Sequence, residues 1–215
     1  MTCIVAYKKN GVVYMGADSA GVGYYSLTVR KDPKIYKNGE YMFGFTDSFR
    51  MGQLLGFSFN APTRPENIDD YKFMVTSFID AVRQCLKAGG YAEVNNNQEK
   101  GGTFIVAYRN NIYEVYGDFQ VGMTKTPFCS VGCGFELAVG AMHALTDRVE
   151  YGAIELHPKE ILRLALETAQ EFSAGVRGPF IYDQMGEEKT PIQKEFVIDK
   201  EKFLGETIGQ STETE

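Results

Sequence analysis

The sequence predicts an α+β domain in which antiparallel sheets stack inside and helices lie outside. Two observations carry that prediction. Two Asn-Gly pairs, Asn10-Gly11 and Asn38-Gly39, each separate β-rich runs within the first fifty residues, and Asn-Gly between such runs is the strongest short-range hairpin signal. The order of elements is then strands, helices, strands, helices, strands. Strict βαβ alternation is missing, which disfavours a doubly wound parallel sheet.

The elements follow in turn. Cys3 to Lys8 and Val12 to Ala17 form the first pair of strands, and "PKIYKNGEYMFGFTD" repeats the grammar. Ser48 to Phe57 reads as a helix, and "APTRPENIDD" as a polar connection. "DDYKFMVTSFIDAVRQCLKAGG" is a long amphipathic helix, acidic at its start and stopped by Gly89-Gly90. "GYAEVNNNQEKGG" reads as a loop. "TFIVAYRNNIYEVYGD" is strand, Asn-Asn turn, strand, and "GMTKTPFCSVG" holds further strand. "FELAVGAMHALTD" and "PKEILRLALETAQEFSAG" are helices; "PFIYDQMG" and "IQKEFVIDK" are late strands. A single domain over 1–205 and a polar tail over 206–215 are expected, the tail being solvated.

Composition is that of a globular protein: 215 residues, 44% hydrophobic and 23% charged, with no Trp. The net charge of −6 and pI near 5.1 argue against nucleic acid as a partner, because phosphate binding wants a basic face. No apolar run reaches membrane-spanning length, and the first residues lack the pattern of a secretion signal. The four cysteines, Cys3, Cys85, Cys129 and Cys133, form no dense framework. A reducing, cytoplasmic home is expected. Cys129 and Cys133 have too few histidines beside them to suggest a metal site, and no cofactor is expected. Gly132 and Gly134 superficially suggest a dinucleotide turn, but the third glycine and the βαβ context are lacking.

What remains is the opening stretch, "MTCIVAYKKNGVVYMGADSAG". If Met1 is removed, as a small second residue permits, Thr2 carries a hydroxyl and a free α-amine. An α-amine has a pKa of roughly 7.7–8.0, so part of it is neutral near pH 7. It can take the proton of its own hydroxyl, directly or through one water, which makes Thr2 a nucleophile needing no histidine. Only two histidines are present.

Thr2-Cys-Ile-Val-Ala, Asn10 through Asp18-Ser19, Pro33-Lys34-Ile35, Met42 through Ser48, and "SVGCGFELAVGAMHAL" together resemble the proteasome β-subunit and HslV peptidase family. These are N-terminal-nucleophile (Ntn) hydrolases with a four-layer αββα sandwich of two antiparallel sheets. The resemblance implies a threonine-type endopeptidase with Thr2 as nucleophile and its amine as base. It implies Lys34 as the cation beside Thr2 and Asp18 as the group that orients it; each interval, Thr2 to Asp18 and Asp18 to Lys34, is 16 residues. Asp47 stands where the family offers a backbone oxyanion donor, usually at glycine. Cys133 stands where a serine usually contacts the terminal amine. Ser173 and Val176 stand where an Asp and a Ser are often found. Phe45 is placed to meet a substrate side chain. The resemblance further implies a peptide or unfolded-protein substrate, a homo-oligomeric ring and an ATP-dependent unfoldase partner. Three other readings stay open: an inactive scaffold of the same fold, an amidase for small amides, and a thiol nucleophile at Cys3 should Thr2 also be removed.

Overall fold

The computed structural model describes residues 1–95 and 98–187. The strand read in "IQKEFVIDK" and the tail over 206–215 lie outside the described residues. The elements are β1 (Cys3–Lys9), β2 (Val12–Ala17), β3 (Ala20–Gly23), β4 (Ser26–Val29), β5 (Ile35–Asn38), β6 (Tyr41–Phe45) and α1 (Phe49–Phe57). A longer helix follows, made of α2 (Asp70–Phe73), a π turn (Met74–Phe78) and α3 (Ile79–Ala88). Then come β7 (Glu93–Asn95), β8 (Gln98–Lys100), β9 (Phe104–Tyr108), β10 (Asn111–Val115), β11 (Val121–Gly122), β12 (Phe128–Gly132), α4 (Phe135–Glu150), α5 (Pro158–Phe172) and β13 (Ile181–Met185).

Two antiparallel sheets form the middle of the molecule, one ordered β12-β1-β2-β13 and the other β11-β10-β9-β6-β5. Strand side chains alternate between faces, and here both faces are covered. In β1, Cys3, Val5 and Tyr7 pack under α4 and α5, while Ile4 and Ala6 face the other sheet. In β6, Tyr41, Phe43 and Phe45 face α1 and the α2–α3 helix, while Met42 faces inward. This double burial explains why these strands read as near-continuous apolar runs. The layer between the sheets is built of Ala, Ile, Val and Met, with Cys129. Rings are kept for the layer under the helices, where Tyr41 stacks on Tyr108 at 4.7 Å and on Phe78 at 5.2 Å. The architecture is the expected αββα sandwich.

The first hairpin turns at Asn10 and Gly11, with φ of 52° and 80°, as a type I′ turn requires. The second departs from expectation by one residue. Asn38 pairs with Tyr41, so the turn is Gly39-Glu40. Asn38 stays in the strand because its side-chain amide donates to the Leu55 and Phe59 carbonyls. The third hairpin departs the other way and turns one residue early, at Arg109 and Asn110, both with positive φ. The connection read as a loop over 90–102 contains the antiparallel pair β7–β8. The β3–β4 hairpin has no counterpart in the sequence reading; Tyr24 and Tyr25 at its tip are fully exposed.

Helix boundaries fall where capping chemistry puts them. Ser48 accepts from the Arg50 N–H to open α1, and Asp69 from the Lys72 N–H to open α2. Pro158 opens α5, where its missing N–H costs nothing.

Candidate active site

Three chain segments meet where β1 begins. Thr2 directly precedes β1. Asp18 directly follows β2, and the pairing of Ile4 with Ala17 brings it beside Cys3. Lys34 directly precedes β5 in the other sheet, and its carbonyl accepts from the Phe45 N–H. The site therefore stands at one end of the sandwich, across the gap between the sheets.

Asp18 is fully buried and makes four bonds through two oxygens. Oδ1 accepts from the Cys3 N–H at 3.0 Å and from Lys34 Nζ at 2.8 Å. Oδ2 accepts from the Ala20 N–H at 3.0 Å and the Arg177 N–H at 3.3 Å. Such a set fixes the orientation of the carboxylate. Lys34 is 1% exposed, and Nζ also donates to Thr2 Oγ1 at 2.9 Å. Burial pushes the Lys34 ammonium below its ordinary range, and the Asp18 carboxylate opposes that shift. The outcome is a buried cation, oriented by a buried anion, aimed at a hydroxyl.

With Met1 in place, Thr2 N is a peptide nitrogen. It donates to Cys133 Sγ at 3.3 Å, while the Thr2 hydroxyl donates to the Met1 carbonyl at 2.6 Å. Cys133 Sγ donates to the Thr2 carbonyl at 3.4 Å and accepts from Ser173 Oγ at 3.7 Å. Val176, by contrast, is buried core against Gly134.

The glycines at 132 and 134 serve close packing. A Cβ on Gly132, whose φ is +100°, would overlap the Thr2 carbonyl oxygen; one on Gly134 would meet Val176 and Cys3. Only glycine lets β12 lie against Thr2 this closely.

Asp47 follows β6 with φ of 53°, a left-handed conformation that Asp tolerates better than most residues. Its carboxylate is turned aside and accepts from the Thr103 N–H at 2.7 Å. Thr46 binds the Thr103 carbonyl through both N–H and Oγ1, at 3.0 and 2.8 Å. The 46–47 strip is thereby tied to the start of β9, and the Asp47 N–H takes no part in that bridge.

A cleft of about 320 Å³ opens beside Thr2 and Lys34, bounded by Ala20–Gly23, Arg30, Asp47 and Phe49. Phe45 borders it but is only 1% exposed, its ring stacked on Tyr36 at 6.0 Å and edge-on to Phe49 at 5.7 Å. The more open aromatic is Phe49, with the Arg30 guanidinium 3.7 Å from its ring centre. The sequence reading singled out neither Arg30 nor Phe49. It also missed Arg177 and Ala20, which act through backbone N–H groups and leave no side-chain signature.

Cys3 is fully buried, and burial drives its thiol up to about 12. A thiol held that firmly protonated is a poor nucleophile. Cys129 faces the inter-sheet core and Cys133 faces Thr2, and no group of three metal-ligating side chains occurs among the described residues. No helix among the described residues is long and apolar enough to cross a membrane.

No protein-family profile and no curated protein matches the chain. Solved structures do. BPH from Thiobacillus denitrificans, in complex with epoxomicin, superposes with a TM-score of 0.68 at 20% identity, covering 87% of this chain and 100% of that one. HslV from Trypanosoma brucei gives 0.60 at 15% identity, covering 86% and 100%. The Gly-1 mutant of Anbu from Hyphomicrobium sp. strain MC1 gives 0.57 at 14% identity, covering 91% and 90%. At these identities the likeness is one of fold. Taken with the two buried sheets between helical layers, it identifies the chain as having the fold of the proteasome-like Ntn hydrolases.

Proposed function

We propose that the protein is a threonine endopeptidase whose nucleophile, Thr2, is released when the bond between Met1 and Thr2 is cleaved. One observation carries the reading: Lys34 Nζ lies 2.9 Å from Thr2 Oγ1 and is held there by the buried Asp18.

In the released form the Thr2 amine takes the hydroxyl proton as Oγ1 attacks the substrate carbonyl. The Lys34 ammonium stabilises the negative charge on Oγ1 as that proton leaves. Charge developing on the carbonyl oxygen is met by the Asp47 N–H. The protonated amine then gives its proton to the departing amine, leaving an ester on Thr2. Water, activated by the same amine, cleaves that ester and restores the site. Cys133 touches the amine and positions it. Phe45 backs the wall of the substrate cleft through Phe49. The fold of the HslV and BPH structures supports extending the reading to a homo-oligomeric ring in the cytoplasm that admits unfolded chains delivered by an ATP-dependent unfoldase.

The test is intact mass followed by labelling. Chains beginning at Thr2 are expected to take one equivalent of an electrophilic peptide probe, in competition with epoxomicin. Thr2→Ala and Lys34→Ala chains are expected to take none at comparable rates. Labelling that persists in Thr2→Ala, or that proceeds equally with Met1 attached, refutes the assignment.

A further inference from the structure

A second hollow, of about 430 Å³, lies beside the first and has a different chemical character. The two share Thr46 and Asp47. In the first sheet β1 lies between β2 and β12. The first cleft adjoins the chain leaving β2, whereas the second adjoins the end of β12 and the start of α4. They therefore flank Thr2 on opposite sides.

The floor of the second hollow holds an anomaly. Along β10, Tyr113 and Val115 face the helices while Ile112 faces the other sheet. Alternation puts Glu114 on the inter-sheet side too, where the neighbouring positions are apolar. Its side chain is 9% exposed. Oε2 accepts from the Tyr116 hydroxyl at 2.9 Å, and Cys129 lies alongside as a further hydrogen-bonding partner. Glu114 has no ion-pair partner among the described residues, and Lys, Arg and His are all missing from the hollow's lining. Burial raises its carboxyl above the ordinary range, as expected of a buried acid that no cation offsets. The lining mixes apolar and polar side chains: Tyr116 and Phe135 are part-open at 38% and 44% with Val139 beside them, and Asp47, Thr103 and Thr126 border the hollow too.

We propose that this hollow is a subsite for a Lys or Arg side chain of the peptide substrate, on the side of the scissile bond away from the Arg30 cleft. The stem of such a side chain lies along Phe135 and Val139. Its cationic head meets the Glu114 carboxylate and the face of the Tyr116 ring. The incoming cation supplies the counter-charge that the fold leaves out. The cleft on the other side carries Arg30 and Lys34, whose positive charges disfavour a basic side chain. The proposal rests on the peptidase reading, and its test separates the two.

Fluorescent peptides that carry Lys, Arg, norleucine or Glu at one position at a time are titrated against Thr2→Ala protein by anisotropy. The same peptides are then offered to protein beginning at Thr2, and the products are mapped by mass. Lys or Arg at one position is expected to tighten binding over norleucine by about tenfold. Glu114→Gln, nearly isosteric, is expected to bring the ratio to within about twofold, and Tyr116→Leu to reduce it part-way. A ratio near one in the parent protein, or one that Glu114→Gln leaves unchanged, overturns the subsite while leaving cleavage intact. The expected ratio without cleavage by the Thr2-ended chain keeps the subsite and defeats the peptidase reading. If no peptide binds, the subsite falls.

Discussion

Replacing Asp18 by Asn tests the heart of the site, because it removes a charge while keeping shape. The Asp18 carboxylate accepts from two donors on each oxygen: Cys3 N–H and Lys34 on one, Ala20 N–H and Arg177 N–H on the other. An amide has one acceptor oxygen and one NH₂ group. If the oxygen faces Cys3 and Lys34, the NH₂ confronts two N–H donors; if it is flipped, the NH₂ confronts an ammonium. Neither orientation satisfies the cavity, and Lys34, at 1% exposure, is left without a counter-charge. Breaking a buried pair in this way costs about 3–5 kcal/mol, which for a chain of this size lowers Tm by roughly 6–20 °C. Thermal and urea unfolding of Asp18→Asn, Lys34→Met and the double variant form the cycle. The double variant is expected to be more stable than Asp18→Asn alone, because it removes the stranded cation. Probe labelling at Thr2 should fall by at least tenfold in every member of the cycle. A loss below about 1 kcal/mol for Asp18→Asn, or strict additivity in the cycle, would refute the argument that the pair is buried and mutually dependent.

Three further outcomes follow from the same geometry. Gly132→Ala forces a side chain into a left-handed position against the Thr2 carbonyl; it should cost about 1–3 kcal/mol in urea unfolding and abolish labelling, since the nucleophile must shift. Cys133→Ser should raise the labelling rate of Thr2-ended protein about two- to tenfold, because a hydroxyl is the stronger donor and acceptor, whereas Cys133→Ala should lower it. The Glu114 carboxyl is raised above its ordinary 4.5 in the folded protein, so its contribution to stability is complete below that pH and is lost as pH rises through the folded value. The Tm of Glu114→Gln minus that of the parent should therefore grow more positive between about pH 4 and 8; a flat difference contradicts the burial argument.

The sequence announces what local chemistry dictates. Asn10-Gly11 turns as its backbone preference demands, and Ser48 and Asp69 cap their helices. Asn38-Gly39 misleads because a tertiary contact outbids the local one: the Asn38 amide reaches the carbonyls at the end of α1 and so remains in the strand. Thr2, Asp18 and Lys34 are legible because their chemistry sits in side chains at recognisable spacing. The donors that fix Asp18 from its far side are backbone N–H groups of Ala20 and Arg177, which any residue except proline could supply. The second hollow draws on β10, β12 and α4, and only their pairing makes Glu114 an inward-facing acid. Its one trace in the sequence is "NIYEV", an acid at an inward position of an otherwise apolar strand.

The proposed function asks that the backbone around Thr2 be fixed. An N-terminal nucleophile gains nothing from proximity unless its backbone is held, and here the holding is done by the residues next to Thr2. Cys3 is clamped by Asp18 in both directions, its N–H by the carboxylate and its carbonyl by the Asp18 N–H at 3.2 Å. The Thr2 carbonyl is held by Cys133 and by the Gly134 N–H at 3.4 Å. Asp18 thus orients the cation and anchors the strand that follows Thr2, so one carboxylate, shared by Lys34 and the Cys3 N–H, holds Lys34 close to the Thr2 hydroxyl. Met1 touches this frame only through its carbonyl, which accepts from the Thr2 hydroxyl; it is 53% exposed, and its side chain lies against Gly175, where a Cβ would come within 2.6 Å of Met1 and 2.5 Å of the Cys133 sulfur. Losing Met1 removes none of the bonds that Asp18 and Lys34 make. Under the proposed function the Asp18–Lys34 framework is therefore complete before the amine exists, and cleavage of one peptide bond would add the base and free the Thr2 hydroxyl from the Met1 carbonyl.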